Sequence, residues 1–345
     1  MKRLRSFVLN IFIAILGVLP MNAKKDLSNF WQDKDGIIKA QTELTLELVN
    51  EIISTDTPSV EAPSQARKAA LYLLDQIFHD TRLDNSTVVS DFLNLRMLSV
   101  LENLKKPLEK GLRVYKLYND GWILQTPKVT IAWDIYRGPT VKNSNQRLMS
   151  DSIASALAET CDIMFLTHNH PDHVDPFIVE CLTSHGIPVI APDEILGENP
   201  LIKHVRREEI WDETFIAANG IELKATILPG HQEHLQNNIY IVTTPDAYTV
   251  CSTGDQWLNE DQELMLNLEG IITPVDVFMP ICWAARLPEL CQSFGAKVVL
   301  TGHENELGSH TIDHREAYWL SYNKLEDFPV PNCLMTWGEC FYFEK

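Results

Sequence analysis

The spacing of apolar positions changes once, near the end of the first third of the chain. From residue 26 to about 110 they recur at helical intervals. Leu44, Leu48 and Ile52 in LTLELVNEII fall near helical spacing, and SQARKAALYLLDQIF and SDFLNLRMLSVLENLKKPL repeat the habit. Ser64 and Ser90 stand where N-caps belong, offering a side-chain oxygen to the first free N–H groups. No clustered acid, histidine or glycine loop occurs in this stretch, so it reads as a helical accessory segment, residues 24–111.

After Gly111 the texture becomes that of strands. VYKLYNDGWILQT and KVTIAWDIY are rich in β-branched and aromatic residues, with Asp120-Gly121 as a hairpin turn. SDSIASALAET predicts a helix capped by Ser150 or Asp151. DIMFLT predicts a strand. DPFIVECLTSHG predicts a helix with Asp175 at the N-cap and Pro176 at its first position. IPVIAP is a short buried strand. Hairpins are expected around Asn219-Gly220 and at Pro245-Asp246, and strands VDVFMPI and AKVVLTGH flank helical AARLPELCQSF. Paired strands interrupted by helices predict an α/β domain over residues 112–345, with two sheets and helices outside them.

Residues 1–23 begin with Lys2, Arg3 and Arg5, followed by an apolar run from Phe7 to Leu19 and small Ala23. That length suits a signal peptide and is short for a membrane span. The expectation is export to the periplasm or medium, with no stable membrane anchor; the rival is an uncleaved anchor. The 345-residue chain has a formal charge of −18, and losing the three basic residues of the leader makes it −21. Such a surface repels nucleic acid and anionic membrane, which reward basic patches, so a small-molecule substrate is expected and a nuclease is disfavoured. Seven cysteines, an odd number without a CxxC, sit mostly in apolar runs and read as small buried hydrophobes.

The chemistry concentrates in FLTHNHPDHVDP. His168, His170 and His173, three of the chain's eleven histidines, lie within six residues and enclose Asp172. Histidine and aspartate are costly to bury unless something binds them. His168 and His170, two apart at a strand end, aim the same way. One ion cannot easily take all four groups from so tight a loop, whereas two adjacent ions can share them. Downstream, ATILPGH ends in His231, YTVCSTGD in Asp255 and KVVLTGH in His303. Each is an ordinary turn alone, but strand ends of one sheet converge on one edge.

The order H-x-H-x-D-H, His, Asp in TGD and His in TGH resembles the metallo-β-lactamase fold superfamily over about residues 112–345. HNHPDHVD is similar to the branch holding N-acylphosphatidylethanolamine phospholipase D and ascorbate-6-phosphate lactonase. Many superfamily members have Gly two residues after the last motif histidine; Asp175 stands there here, as in that branch, and its role as a helix cap is sufficient. The resemblance implies an αββα sandwich with a two-metal site at one edge. It puts His168, His170 and His231 on the first ion and Asp172, His173 and His303 on the second, with Asp255 bridging and Asp172 also orienting the attacking water. Zn²⁺ suits such a mostly imidazole set, with Mn²⁺ or Fe as alternatives. The implied activity is hydrolysis of a phosphodiester, lactone or related ester. A β-lactamase is less expected, because those enzymes generally lack an Asp255-type bridge. The alternative class is a non-catalytic metal-containing protein using the helical segment as a partner surface.

Several residues keep two readings. His234 is a rival to His231 as third ligand. His310 and His314, four apart, either face the substrate or face solvent. Glu304 and Glu306 either orient neighbouring histidines or are surface charge. Trp257, Trp283 and Arg286 either line the pocket or pack elsewhere.

Overall fold

The structure, a computed structural model, describes residues 33–193, 196, 199–206, 208–256, 259–308 and 315–345. The expected leader at 1–23, Trp257, His310 and His314 lie outside the described residues. Two compact units divide at Leu44 and Thr45, within helix α1 (Lys34–Thr55). The first, as far as described, is the opening of that helix; the second, residues 45–345, carries the rest of it and every later element. No helix among the described residues is long and apolar enough to cross a membrane.

Two more helices come next, α2 (Gln65–Phe78) and α3 (Thr87–Leu104). Ser64 caps α2 by accepting from Arg67 N. The N-cap of α3 is Ser86, four residues before Ser90. It accepts from Val89 N, while Ser90 donates to the Leu148 carbonyl. Strands β1 (Leu112–Lys116), β2 (Trp122–Gln125) and β3 (Thr130–Trp133) form an antiparallel meander. The left-handed residue in the β1–β2 turn is Asn119, at φ 58°, one position before the expected Asp-Gly pair.

Helix α4 (Asp151–Glu159), β4 (Ile163–Phe165), helix α5 (Pro176–Ser184), β5 (Val189–Ala191) and β6 (Ile202–His204) extend the sheet in parallel from β3. The last strand, β15 (Cys340–Phe343), pairs with β1, giving the order β15-β1-β2-β3-β4-β5-β6. Asp175 caps α5 by accepting from Phe177 N, with Pro176 in the first turn, and also binds Arg137.

The second sheet has the order β14-β13-β12-β11-β8-β7. It comprises hairpin β7 (Trp211–Ile216) and β8 (Glu222–Leu228), then β11 (Ile239–Thr243), β12 (Thr249–Ser252), β13 (Val277–Met279) and β14 (Val298–Val299). The last three run parallel. A small ribbon, β9 (His231–Gln232) with β10 (Leu235–Gln236), interrupts it, and helices α6 (Asn259–Met265), α7 (Leu287–Phe294) and α8 (Tyr318–Leu325) complete the chain.

Strand alternation sorts side chains into three apolar clusters. Val114, Leu124, Ile131 and Phe165 meet Ile227, Tyr240, Val242 and Val277 between the sheets. Tyr115, Ile123, Ala132 and Met164 point the other way, onto the faces of α1–α5 and α8. Ile239, Ile241, Cys251 and Phe278 pack on α6 and α7. Three interfaces make four layers, αββα. Each fully buried large aliphatic or aromatic side chain contributes roughly 1.5–3 kcal/mol by leaving water. The seven cysteines are free thiols, five of them buried.

Candidate metal centre

The parallel strands β3, β4, β12 and β14 end at one rim, and each delivers a polar side chain there. In α/β sheets that rim is where backbone ends diverge and a crevice opens. The sheets touch at this point: Asn238 N donates to the Thr167 carbonyl at 2.8 Å. Gly254, at φ 52°, lets them meet, since a Cβ there would stand 2.5 Å from Thr167 Oγ1.

Among the described residues, three groups of ligand atoms gather within 4.8 Å. One holds Asp172, His173, Asp255 and His303, and another holds His168, His170 and Asp255, so these two share Asp255. The third holds Asp120, Asp134 and His173. His303 Nε2 lies 3.2 Å from Asp172 Oδ2 and 3.4 Å from Asp255 Oδ2. His173 Nε2 lies 3.3 Å from Asp255 Oδ1. His168 Nε2 and His170 Nδ1 face each other at 3.0 Å, a gap that two lone pairs tolerate only with a proton or a cation between them. His168, His173 and His303 are fully buried; His170 and Asp172 are half-buried.

The other expected third ligands stand elsewhere. His231 Nδ1 is 3.1 Å from Asp261 Oδ2, its side chain is 40% exposed, and it joins none of these groups. Asp261 also accepts from Gln256 Nε2 at 3.3 Å, which places His231 beside the segment carrying Asp255. His234 is 83% exposed next to Glu233.

The electrostatics are those of a site made for positive charge. Burial is the largest single effect and pulls His173 and His303 toward neutrality, but the neighbouring acids, Asp255 and Asp172 foremost, together outweigh it and hold both imidazoles well above their usual pKa. Burial pushes the Asp172 and Asp255 carboxyls up, and the two histidines outweigh that, holding both well below the usual carboxylate range. His168, buried and beside His173, is held well below the ordinary imidazole value. Burial raises Asp120 and Glu306 to about 7.

A divalent ion fits these residues. Among the described residues, His173 Nε2 and Asp255 Oδ1 are buried and have no hydrogen-bond partner, a costly state unless something else satisfies them. The opposite nitrogen of His173 is already fixed: Nδ1 lies 3.0 Å from Asp134 Oδ2. That leaves Nε2 free to offer a lone pair, an arrangement typical of metal-binding imidazole. The donor set of imidazole and carboxylate suits Zn²⁺, Mn²⁺ or Fe.

Asp134, Asn119, Asp120 and the Lys116–Glu304 pair were missed in the sequence. Asp134 had a signal: it ends strand TIAW as Asp255 ends TVCS. It accepts from Thr167 N at 2.9 Å and Thr167 Oγ1 at 2.6 Å. Lys116 and Glu304 form a fully buried ion pair at 2.8 Å, which gives Glu304 a structural partner rather than a place on the surface. Glu306 is buried, its Oε2 3.8 Å from His303 Nδ1. Trp283, 37% exposed, sets its ring edge-on to His303 at 4.7 Å. Arg286 pairs with Glu289 on the surface at 3.4 Å.

Neither a protein-family model nor a curated protein matches the sequence. Solved structures do. A metallo hydrolase from the hyperthermophilic archaeon Ignicoccus hospitalis aligns with a TM-score of 0.50 at 16% identity, over 68% of this chain and 100% of that one. CmlA, a diiron β-hydroxylase from Streptomyces venezuelae, aligns with a TM-score of 0.47 at 13% identity, over 70% of this chain and 55% of that one. A Thermotoga maritima protein described as a zinc-dependent hydrolase of the metallo-β-lactamase superfamily aligns at 0.35 and 15% identity, over 63% and 86%. At such identities the likeness is one of fold. The chain shares the mixed α/β, two-sheet fold of the Ignicoccus metallo hydrolase, with a candidate metal site at the rim where its parallel strands end.

Proposed function

We propose that the protein is a metal-dependent hydrolase that binds two divalent ions and cleaves a phosphodiester, a lactone or a related ester of a small molecule. The observation that carries this is the sharing of Asp255 between two ligand groups, one three-membered and one four-membered. A single-ion site has no use for a carboxylate placed between two sets of imidazoles. Bound there, divalent ions supply Lewis acidity, polarising an ester oxygen and making water nucleophilic near neutral pH.

The chain's own residues do the rest. Asp255 holds the two groups at one separation. Asp172, the more exposed of the two carboxylates, accepts a hydrogen bond from the attacking water and turns its lone pair toward the ester carbon or phosphorus. Asp134 keeps His173 in one tautomer. His231, beside the segment carrying Asp255, is assigned as the third imidazole for the first group. The acidic surface favours a small substrate over nucleic acid, and the basic start with its apolar run favours export.

The test joins metal content to turnover. Purified protein is analysed by elemental mass spectrometry and screened against phosphodiesters, lactones and simple esters. About two ions per chain with hydrolysis of one class is the expected result. Bound metal with no hydrolysis of any class returns the protein to the non-catalytic reading, and absence of metal overturns both.

A further inference from the structure

Asn119 lies outside the ligand motif, and the proposed hydrolysis does not use it. It is fully buried in the β1–β2 turn. Its φ of 58° is left-handed, a conformation Asn tolerates better than most residues bearing a side chain. The turn brings its carboxamide to the ligand cluster. Nδ2 lies 3.0 Å from Asp172 Oδ2, 3.4 Å from the Asp172 carbonyl oxygen and 3.3 Å from His303 Nε2. The backbone joins in: His303 N donates to the Asn119 carbonyl at 3.3 Å. Next to it, the Tyr118 hydroxyl accepts from Leu307 N at 2.7 Å. One turn thus holds the segment that presents His303.

The amide's orientation is dictated by its neighbours. With nitrogen and oxygen exchanged, an uncharged oxygen would face a carboxylate oxygen at the 3.0 Å that Nδ2 now occupies. Oδ1 is buried and has no hydrogen-bond partner among the described residues. A purely structural asparagine engages both ends of its amide; here the described hydrogen bonds are made by the nitrogen, on the ligand side.

Three nitrogens converge on Asp172 Oδ2: Asn119 Nδ2 at 3.0 Å, His303 Nε2 at 3.2 Å and His173 Nε2 at 3.5 Å. The imidazole nitrogens donate to Asp172 only while they carry protons. As metal ligands they present lone pairs instead, and their hold on the carboxylate ends. The carboxamide keeps its protons in either case. We propose that Asn119 is a positioning residue of the metal centre: its amide keeps the Asp172 carboxylate turned toward His173 and His303 and thereby sets metal affinity. The inference rests on the two-ion reading.

Asn119→Gly accepts the left-handed turn without strain and removes only the carboxamide. Asn119→Asp keeps the volume and puts an oxygen where the donor was. Zn²⁺ affinity is read by competition with a chromophoric chelator, and the melting temperature of the metal-stripped protein is read alongside. Both variants are expected to bind the more weakly held ion about 10- to 100-fold less tightly, the range found when a group supporting a ligand is lost, with the stripped proteins melting within a few degrees of wild type. Wild-type affinity in either variant overturns the proposal, as does a large drop in melting temperature at unchanged affinity. A wild-type protein that takes up no metal refutes the two-ion reading itself. One that binds metal, with variants that bind it equally well, refutes only the role of Asn119.

Discussion

His173 Nδ1 and Asp134 Oδ2 stand 3.0 Å apart with both side chains fully buried. The carboxylate accepts from Nδ1–H, so with an ion bound the ring keeps its proton on that side and Nε2 offers its lone pair to the ion. Asp134→Asn keeps the shape and tolerates the left-handed φ of 44° at this position. Its amide nitrogen, placed where Oδ2 was, donates to Nδ1 and drives the proton to Nε2. A single isostere of this kind inverts a tautomer. Zn²⁺ affinity should fall about 10- to 100-fold, measured by chelator competition, while far-ultraviolet circular dichroism stays as in wild type. Unchanged affinity would show that His173 ligates nothing.

Asp255 and His234 give opposite expectations. Asp255→Asn removes one buried charge and aims an N–H donor at a cation. One ion should be lost or weakly held, and turnover should fall at least ~10²-fold, the scale seen when a charge-stabilising group is removed. The fold should survive, because the three apolar clusters do not include this residue. His234, 83% exposed, should tolerate Ala with both ions and most activity retained. Metal stoichiometry on the two variants decides it. Full metal content in Asp255→Asn, or metal loss in His234→Ala, means that the ligand assignment is wrong.

Much of this centre can be read locally because four of its side chains fall within six residues, His168 to His173. Asp255 and His303 are legible because each ends an apolar run, and runs of one sheet share a rim. Asp134 and Asn119 carry the same kind of signal but one residue each, WD and ND, and both pairs are ordinary in turns. Their meaning depends on register. Only the parallel pairing of β3 with β4, Trp133 opposite Phe165, brings Asp134 to Thr167 and His173. The partner of His231 is equally hidden, since Asp261 lies thirty residues further on, beyond three strands. Helix periodicity points to three N-terminal helices, yet not to the sharing of one cluster between their apolar faces and the first sheet. Ser86 and Ser90 are both acceptable caps. Burial of Val88 and Val89 decides for the earlier one.

Gly302 is fixed by Asp120. A Cβ at Gly302 would stand 1.7 Å from Asp120 Oδ1. That oxygen cannot simply swing aside, because Trp122 Nε1 donates to it at 3.0 Å. Gly302→Ala should destabilise by about 3 kcal/mol, the upper part of the usual overpacking range, and should weaken metal binding, since His303 comes directly after it. Adding Asp120→Ser, which removes the clashing oxygen, should recover most of the loss. Urea unfolding of the single and double variants checks it. A Gly302→Ala protein as stable as wild type would mean that the loop before His303 has room to move.

Behind the centre, Lys116 and Glu304 are both fully buried. Lys116 Nζ also donates to the Thr301 carbonyl at 2.8 Å, and Thr301 Oγ1 donates to Glu304 Oε1 at 2.5 Å. Moving two charges out of water is costly, and their attraction roughly offsets that cost; removing one partner leaves the other stranded. Lys116→Met or Glu304→Leu alone should therefore destabilise by about 3–5 kcal/mol. The double variant should lose less than either single one, leaving mainly unmatched Thr301 groups at about 1–3 kcal/mol. If the pair only stabilised the fold, the double variant would bind Zn²⁺ like wild type. Glu304 adjoins His303, whose own φ of 74° is strained for a residue with a side chain. The pair anchors that strained turn, so the double variant should keep most of its stability yet bind Zn²⁺ about 10-fold more weakly, toward the lower end for lost support of a ligand. Urea unfolding combined with chelator competition separates the two effects. Strictly additive losses of stability would show that the two charges do not depend on each other. Wild-type affinity in the double variant would show that the His303 turn holds itself.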